Sequence, residues 1–427
     1  MTDIADRHTS VDNANGSPKV DPSDRSTTVD TGTAYGLRPG THDAGLTEVA
    51  AGTPMGELMR RYWHPIGLTS YATDLPREVR VLGEDLIVFR DREGNAGLVH
   101  PRCIHRGSSL LYGRIDEHGI RCCYHGWAFD TKGMCTDQPC EPQTGLNRDK
   151  YRQPWYPVEE RYGLIWAYLG PPEKKPLLQR YNLFEEMGDG EQLFTDDNNI
   201  GSGRFFNDAA VPFNWLQHFE NIHDTGHFMW LHYFHSGPQF GSRYGEFDKL
   251  DFQPWERMDG VEWKVTERGV STERSMVVPD GRRLSAIVET VLPGVRGVPN
   301  PFGVEGRTDS LGFVLPVDDT SFRIFTVLRS KDTTFFDRIA AFRDREAVAD
   351  PTHFQRFPGD WEAQGSQGPI TLHSEEHLAT SDRGVRMLRR LLREQIDIVA
   401  AGGDPMNVAY EPGTETIVLE SGQFLSQ

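Results

Sequence analysis

Cys103 and His105, followed by Cys122 and His125 with sixteen residues between His105 and Cys122, are the residues whose types and spacing could do chemistry. Two short stretches each offer a thiolate and an imidazole, the side chains that bind borderline and soft metals. Gly107 and Gly126 follow the histidines closely, so each pair sits in a turn able to bend around a metal centre. Four such ligands hold either one tetrahedral zinc or a [2Fe–2S] cluster with two thiolates on one iron and two imidazoles on the other. The Cys-x-His half argues against zinc, whose paired ligands usually stand two to four residues apart. Spacing leaves the register of the second loop open. Cys123-Tyr124-His125 repeats the Cys-x-His of the first loop, whereas Cys122-Cys123-Tyr124-His125 gives Cys-x-x-His.

A second constellation runs from Glu220 to His232, Glu-Asn-Ile-His-Asp-Thr-Gly-His-Phe-Met-Trp-Leu-His. Two histidines and a carboxylate on one face of an iron leave positions open for O2 and a substrate. His218, His223, His227, His232 and His235 are all candidates. His223 and His227 lie four apart, on one helical face. His227 and His232 lie five apart, which requires a helix end or a bulge between them. The stretch by itself is equally a helix with satisfied core histidines. The upstream ligand set tips the balance, because an electron-transfer cluster needs a redox site to serve.

The elements that must position these residues follow from punctuation. Residues 1 to about 45 are rich in Asp, Ser, Thr, Gly and Asn, and read as a disordered tail. Pro54 to Trp63 reads as a short helix with proline in its first turn. Strand-like runs at 78–82, 86–89 and 97–100, with turns at 83–85 and 92–95, imply a small antiparallel β domain from which the two metal loops emerge. Residues 163–169 close that domain, and Gly170-Pro171-Pro172 marks its end near 173. From 174 to 427 the chain reads as a second domain. It has a helix over 214–232, strands over 261–328, and a late helix on which Val385, Leu388, Leu391, Leu392, Ile396 and Val399 recur at helical spacing. Arg383, Arg386, Arg389, Arg390 and Arg393 on that helix read as a solvated face. The fold class is α+β: a small antiparallel β domain plus a helix-grip-like domain with a long helix on an antiparallel sheet.

The 427 residues supply ample core for two or three domains. A formal net charge of −18 argues against nucleic acid or an anionic membrane surface as partner. The five cysteines cluster between 103 and 140, which suits reduced cytosolic thiols and metal ligands rather than a disulfide framework. No apolar run approaches a membrane span, and no signal-peptide segment opens the chain.

Together the two constellations resemble the oxygenase (alpha) component of the Rieske non-haem iron oxygenases. The likeness is closest to the phthalate dioxygenase-like branch, which also contains aryl-ether O-demethylases. Gly52-Thr53-Pro54-Met55-Gly56-Glu57-Leu58, Arg60-Arg61-Tyr62-Trp63-His64-Pro65, Tyr124-His125-Gly126-Trp127, Asn214-Trp215-Leu216-Gln217 and Gly368-Pro369-Ile370 share in the resemblance, which runs from about 46 to 405. It implies that Cys103, His105, Cys122 and His125 hold the Rieske [2Fe–2S] cluster, with Cys123 a bystander where the family usually has proline. It implies mononuclear Fe(II) on His227 and His232, with Asp360 of Gly359-Asp360-Trp361 as third ligand. Asp224 resembles the acid that links His227 to the cluster histidine of an adjacent subunit, and Asn221 stands with it among the catalytic residues. The implied partners are O2, an aromatic and carboxylated substrate that is hydroxylated or O-demethylated, and an NADH-dependent flavin and iron–sulfur reductase. The implied assembly is a trimer or hexamer. This chain departs from the family's pattern at Ile104 and Cys123, where loop prolines are usual, and at Leu372-His373, where an Asp-Arg pair is usual. A Rieske-type electron carrier with a silent second domain and a zinc-stabilised binding module are the competing readings.

Overall fold

Thr53 caps the first full helix, Pro54–Met59: its hydroxyl accepts from the Gly56 N–H, and Pro54 stands in the first turn where no donor is needed. This is a computed structural model; it describes residues 39–197, 210–232, 260–277, 281–299, 305–332, 334 and 351–426. His235 and most of the expected tail lie outside the described residues. Past the helix the chain continues as a strand, Trp63–Leu68, which pairs antiparallel with Leu164–Tyr168. A three-stranded sheet of Arg77–Val81, Glu84–Arg90 and Ala96–Val99 follows. Its first turn falls at Leu82-Gly83, both at positive φ (49° and 80°), one residue earlier than the expected Gly83-Glu84-Asp85 turn. Two consecutive residues at positive φ make the tight hairpin turn whose twist matches the strands. Four short strands, Arg114–Asp116, Gly119–Arg121, Ala128–Asp130 and Cys135–Asp137, form an antiparallel meander beneath the two Cys/His loops.

The second half is built on a nine-stranded sheet. Seven strands form its main path: β1 (Gln192–Asp196), β2 (Val261–Val265), β3 (Gly269–Val277), β4 (Arg283–Val291), β5 (Val295–Gly297), β6 (Ser310–Asp318) and β7 (Ser321–Ser330). Their spatial order is β1-β7-β6-β5-β4-β3-β2. Four helices bear on function: α1 (Trp215–Asn221), α2 (Thr225–Trp230), α3 (Asp360–Gly365) and α4 (Arg383–Ala400). Among the described residues no helix is long and apolar enough to cross a membrane.

Two hydrophobic cores result. The larger joins Leu46, Leu58, Tyr62 and Trp166 to Phe313, Phe322, Leu388 and Leu392, so the N-terminal helix packs with the large sheet and α4. The smaller gathers Ile87, Phe89, Ile120, Phe129 and the two cysteines Cys103 and Cys122 under the loops.

Two expectations need correction. The chain is tied down before residue 46. The Thr41 N–H donates to the Ser374 hydroxyl and its carbonyl accepts from the Ser374 N–H, and Asp43 pairs with Arg393 at 2.6 Å. Arg389 is not on a solvated face. Arg383, Arg386, Arg390 and Arg393 are exposed, but Arg389 is buried at 6 % exposure and clamped between Glu220 (2.6 Å) and Glu376. Helical spacing places Arg389 one position after Leu388, at the edge of the apolar stripe, and a carboxylate on α1 draws it inward. One guanidinium thus serves two acids. Burial, and then Glu376 and Asp224, push the Glu220 carboxyl above its ordinary value, while the two carboxylates hold Arg389 charged.

Candidate metal centres

The two Cys/His loops share one main-chain construction. The Cys103 N–H donates to Ser108 O and the Gly107 N–H to Cys103 O; the Cys122 N–H donates to Trp127 O and the Gly126 N–H to Cys122 O. Each loop therefore starts on a cysteine and closes on a glycine four residues later, with φ of 77° and 72°. Only glycine takes that conformation without strain, and a Cβ at Gly126 would stand 2.7 Å from Pro139. In this frame Cys122, not Cys123, matches Cys103, and the histidines occupy the third and fourth places of otherwise equal turns. Cys103 and Cys122 are 2 % and 3 % exposed and interact with each other, while Cys123 lies on the surface 3.9 Å from the Ser108 hydroxyl.

The imidazoles of His105 and His125 meet edge to face at 4.6 Å, and His105 stacks flat on Trp127 at 4.5 Å. Buried Gln153 braces the first loop, accepting from the Ile104 N–H and donating to His100 O and Arg102 O. Burial pushes the Cys103 thiol up to about 12, and the neighbouring Cys122 adds to the effect. Two thiolates in that place require a cation beside them. Two buried thiols backed by two half-exposed imidazoles fit a cluster whose thiolate iron lies inside and whose imidazole iron faces outward.

The second site is assembled by side chains. The expected single helix over 214–232 is two helices. Asn214 caps α1 through the Leu216 N–H, and Asp224 caps α2 through the His227 N–H at 3.3 Å. A π-helical turn at Leu231-His232 then supplies the bulge that the five-residue spacing demands. Gln217 on α1 donates to Gln364 O and Gly368 O and accepts from the Thr371 N–H. His218 bonds Gln364 at 3.1 Å and stacks on Trp361. These pegs fasten α3 against α1 and deliver Asp360, at the first turn of α3, to the histidines. The Nε2 atoms of His227 and His232 lie 3.5 and 3.4 Å from the two Asp360 oxygens. One donor atom from each of the three lies within 4.8 Å of the others. Asn221 reaches both His227 Nε2 (3.2 Å) and Asp360 Oδ1 (3.3 Å).

Local chemistry says what this trio accommodates. His227 Nδ1 donates to the main-chain oxygen of Asp224, which assigns the proton to Nδ1 and a lone pair to Nε2. That lone pair faces a carboxylate oxygen. The Asn221 amide, within reach of both atoms, eases their repulsion here; two imidazoles and a carboxylate with donor atoms this close fit a metal ion with open positions. Burial alone would raise the Asp360 carboxyl, yet the imidazoles of His232, His227 and His218 draw it below its ordinary range.

The other candidate histidines are placed apart. His218 and His223 are buried in the core, His218 bonding through Nδ1 to Gln364 and His223 between Thr272 and Thr290 at 2.8 Å each, and burial holds both near 3, neutral at physiological pH. Sequence reasoning missed the Gln217–Gln364–His218 clamp. Its only signal was the Asn214-Trp215-Leu216-Gln217 stretch, whose physical role is now plain. It also missed that the Asp224 carbonyl, rather than its carboxylate, takes the His227 proton.

Residues 63–157 match the Rieske [2Fe-2S] domain. The chain is 44 % identical over 400 residues to the phenoxybenzoate dioxygenase subunit alpha of Ectopseudomonas oleovorans, covering 92 % of this chain and 94 % of that one. It is 35 % identical to the tert-butanol monooxygenase / tert-amyl alcohol desaturase oxygenase subunit of Aquincola tertiaricarbonis, covering 86 % and 79 %. The solved structure of Pseudomonas putida CBB5 NdmA with caffeine superposes with a TM-score of 0.58 at 20 % identity, covering 84 % of this chain and 99 % of that one, which shows a common fold. The chain belongs to the Rieske non-haem iron oxygenases, as an oxygenase (alpha) component. It is an enzyme whose cofactors are a Rieske [2Fe–2S] cluster and a mononuclear iron.

Proposed function

We propose that this chain is the terminal oxygenase of a system that hydroxylates or O-demethylates an aromatic acid with O2. Electrons would come from a separate NADH-dependent flavin and iron–sulfur reductase, and the chain would work as a trimer or hexamer in the cytosol. Cys103, His105, Cys122 and His125 hold the cluster; His227, His232 and Asp360 hold the iron. When bound, the cluster supplies single electrons and the mononuclear iron supplies O2 activation. The observation that carries the reading is the convergence of two imidazole Nε2 atoms on one carboxylate, with the Nδ1 proton of His227 held away by the Asp224 carbonyl. An electron carrier would have no use for such a trio. Asn221 keeps Asp360 and His227 in register, and Asp224 starts the helix that carries His227. The name of the 44 % relative supports an aromatic acid as substrate class.

The test combines the purified protein with a reductase, NADH, O2 and a panel of aromatic acids, phenoxybenzoate first, following hydroxylated product and formaldehyde. A reddish-brown protein with about three irons per chain that turns over an aromatic acid is the expected result. A colourless zinc protein, or one with two irons and no turnover, would refute it.

A further inference from the structure

Arg274 on β3 is a buried cation beside the iron ligands, and the described residues offer it no counter-charge. Thr272, two residues earlier and so on the same face of the strand, bonds His223 at the break between α1 and α2. Arg274 therefore projects one pleat further on, beneath α2. There its guanidinium carbon stands 3.9 Å from the centre of the Phe228 ring. Phe228 follows His227 in sequence and meets the His232 ring edge to face at 5.6 Å.

Arg274 is 9 % exposed, and its Nε has no hydrogen-bond partner. The three other buried arginines among the described residues each have a carboxylate: Arg60 has Glu84, Arg61 has Asp404, and Arg389 has Glu220 and Glu376. Burial lowers the Arg274 pKa, to about 10, and no acid among the described residues offsets it. Arg296, two strands away on β5, differs in having Asp360 within electrostatic reach. An aromatic face returns only part of what a guanidinium loses on leaving water. Local rules are broken in this way mainly where a ligand completes the arrangement.

We propose that Arg274 is the anchor for the substrate's carboxylate, its planar fork taking the two oxygens side by side while Phe228 holds the fork in plane. A molecule held there by its carboxylate has its remaining atoms beside Phe228 and His232, next to the proposed iron ligands. The assignment deepens the aromatic-acid reading and rests on it for substrate class. It requires the active site to discriminate an acid from its neutral amide through this one side chain.

The experiment uses the holoenzyme as wild type, Arg274→Gln and Arg274→Lys. Binding of phenoxybenzoate and of phenoxybenzamide is measured by calorimetry without reductant, with iron content and the visible spectrum recorded for each protein. Wild type should prefer the acid by about 30-fold or more, the size expected when one partner of a buried charge pair is removed. Arg274→Gln should bring the ratio near one with iron and colour unchanged, and Arg274→Lys should keep part of the preference. A merely structural arginine would change stability and leave the ratio alone. Should Arg274→Gln not fold, the ratio in wild type and in Arg274→Lys still decides. The proposal is overturned if wild type binds neither probe or does not discriminate between them, or if either variant keeps the full wild-type ratio. Turnover separates the two readings: an enzyme that oxidises aromatic acids yet keeps its acid preference in Arg274→Gln loses the anchor alone. A protein without mononuclear iron or turnover loses the oxygenase reading.

Discussion

Cys103, His105, Cys122 and His125 lie in two loops above one small sheet, loops that are set by main-chain bonds; His227 and His232 come from one stretch and Asp360 from another, and side chains bring the two together. In the first region each loop closes on itself, Cys N–H to a carbonyl five residues on and Gly N–H back to the cysteine carbonyl. In the second, Asp360 stands 128 positions from His232 and arrives only because Gln217 and His218 grip α3. A site folded from local backbone tolerates change around it and fails only when its own donors change. A site assembled by distant side chains depends on every peg between them.

The sharpest way to break this contrast is inside the second loop. Cys122→Ser should abolish the reddish-brown chromophore altogether, while Cys123→Ala should leave it intact, because only Cys122 occupies the place of Cys103 in the repeated turn and Cys123 is at the surface. Visible absorption of the two purified variants decides it; the opposite pattern would move the register by one residue. Next in size, Asp360→Ala should drop turnover to background and empty the mononuclear site while the cluster spectrum persists, since the two sites share no ligand. Metal analysis beside the spectrum checks this, and wild-type turnover would remove Asp360 from the ligand set.

The same contrast explains what could be read from sequence. The Cys103, His105, Cys122 and His125 set could be read because each pair sits within one short loop, where the cysteine, histidine and glycine positions carry the geometry. The His227–His232 pair was half legible: its five-residue interval demanded a bulge, and a π-helical turn is there. Asp360 was reached only through family resemblance, for no spacing rule spans a contact made by the fold. Arg389 was misread because periodicity sees only its own helix, and the partner that buries it, Glu220, sits on α1. Arg274 gave no signal at all, since a strand arginine looks alike whether its fork meets water or protein.

Pegs of the second kind can be pulled singly. Arg389→Met leaves Glu220 buried without its guanidinium, and should cost about 3–5 kcal/mol of stability. Urea unfolding followed by far-ultraviolet circular dichroism measures it; a loss under 1 kcal/mol would mean that the clamp on α4 is not structural. Acid should act on the same region. His218 and His223 are neutral in the fold, with burial holding both near 3, whereas in the unfolded chain each takes a proton below about 6.5. The unfolded state then binds more protons, so their contribution is complete above pH 6.5. It is lost as pH falls toward 3, at about 1.4 kcal/mol per pH unit for each histidine. Unfolding midpoints that stay level from pH 6.5 to 4.5 would contradict this.

The smallest effect on the metal sites is expected at Asp224, where the two regions would meet if the family's assembly holds. Its carboxylate is 34 % exposed and stands 3.8 Å from His227 Nδ1, whereas its main-chain oxygen is the atom that accepts the Nδ1 proton. The carboxylate's local task is to cap α2, and asparagine caps a helix about as well as aspartate. Asp224→Asn should therefore keep the His227 tautomer, the iron and the cluster colour. What it removes is one negative charge from a half-exposed face. The family resemblance places a neighbouring subunit's cluster histidine opposite that face, and a charged acceptor there would orient its imidazole. Single-turnover oxidation of the reduced cluster should therefore slow in Asp224→Asn although metal content is unchanged. Loss of iron would show that the carboxylate, not the carbonyl, fixes His227. Unchanged oxidation with iron in place would show that the route between cluster and iron does not pass through Asp224.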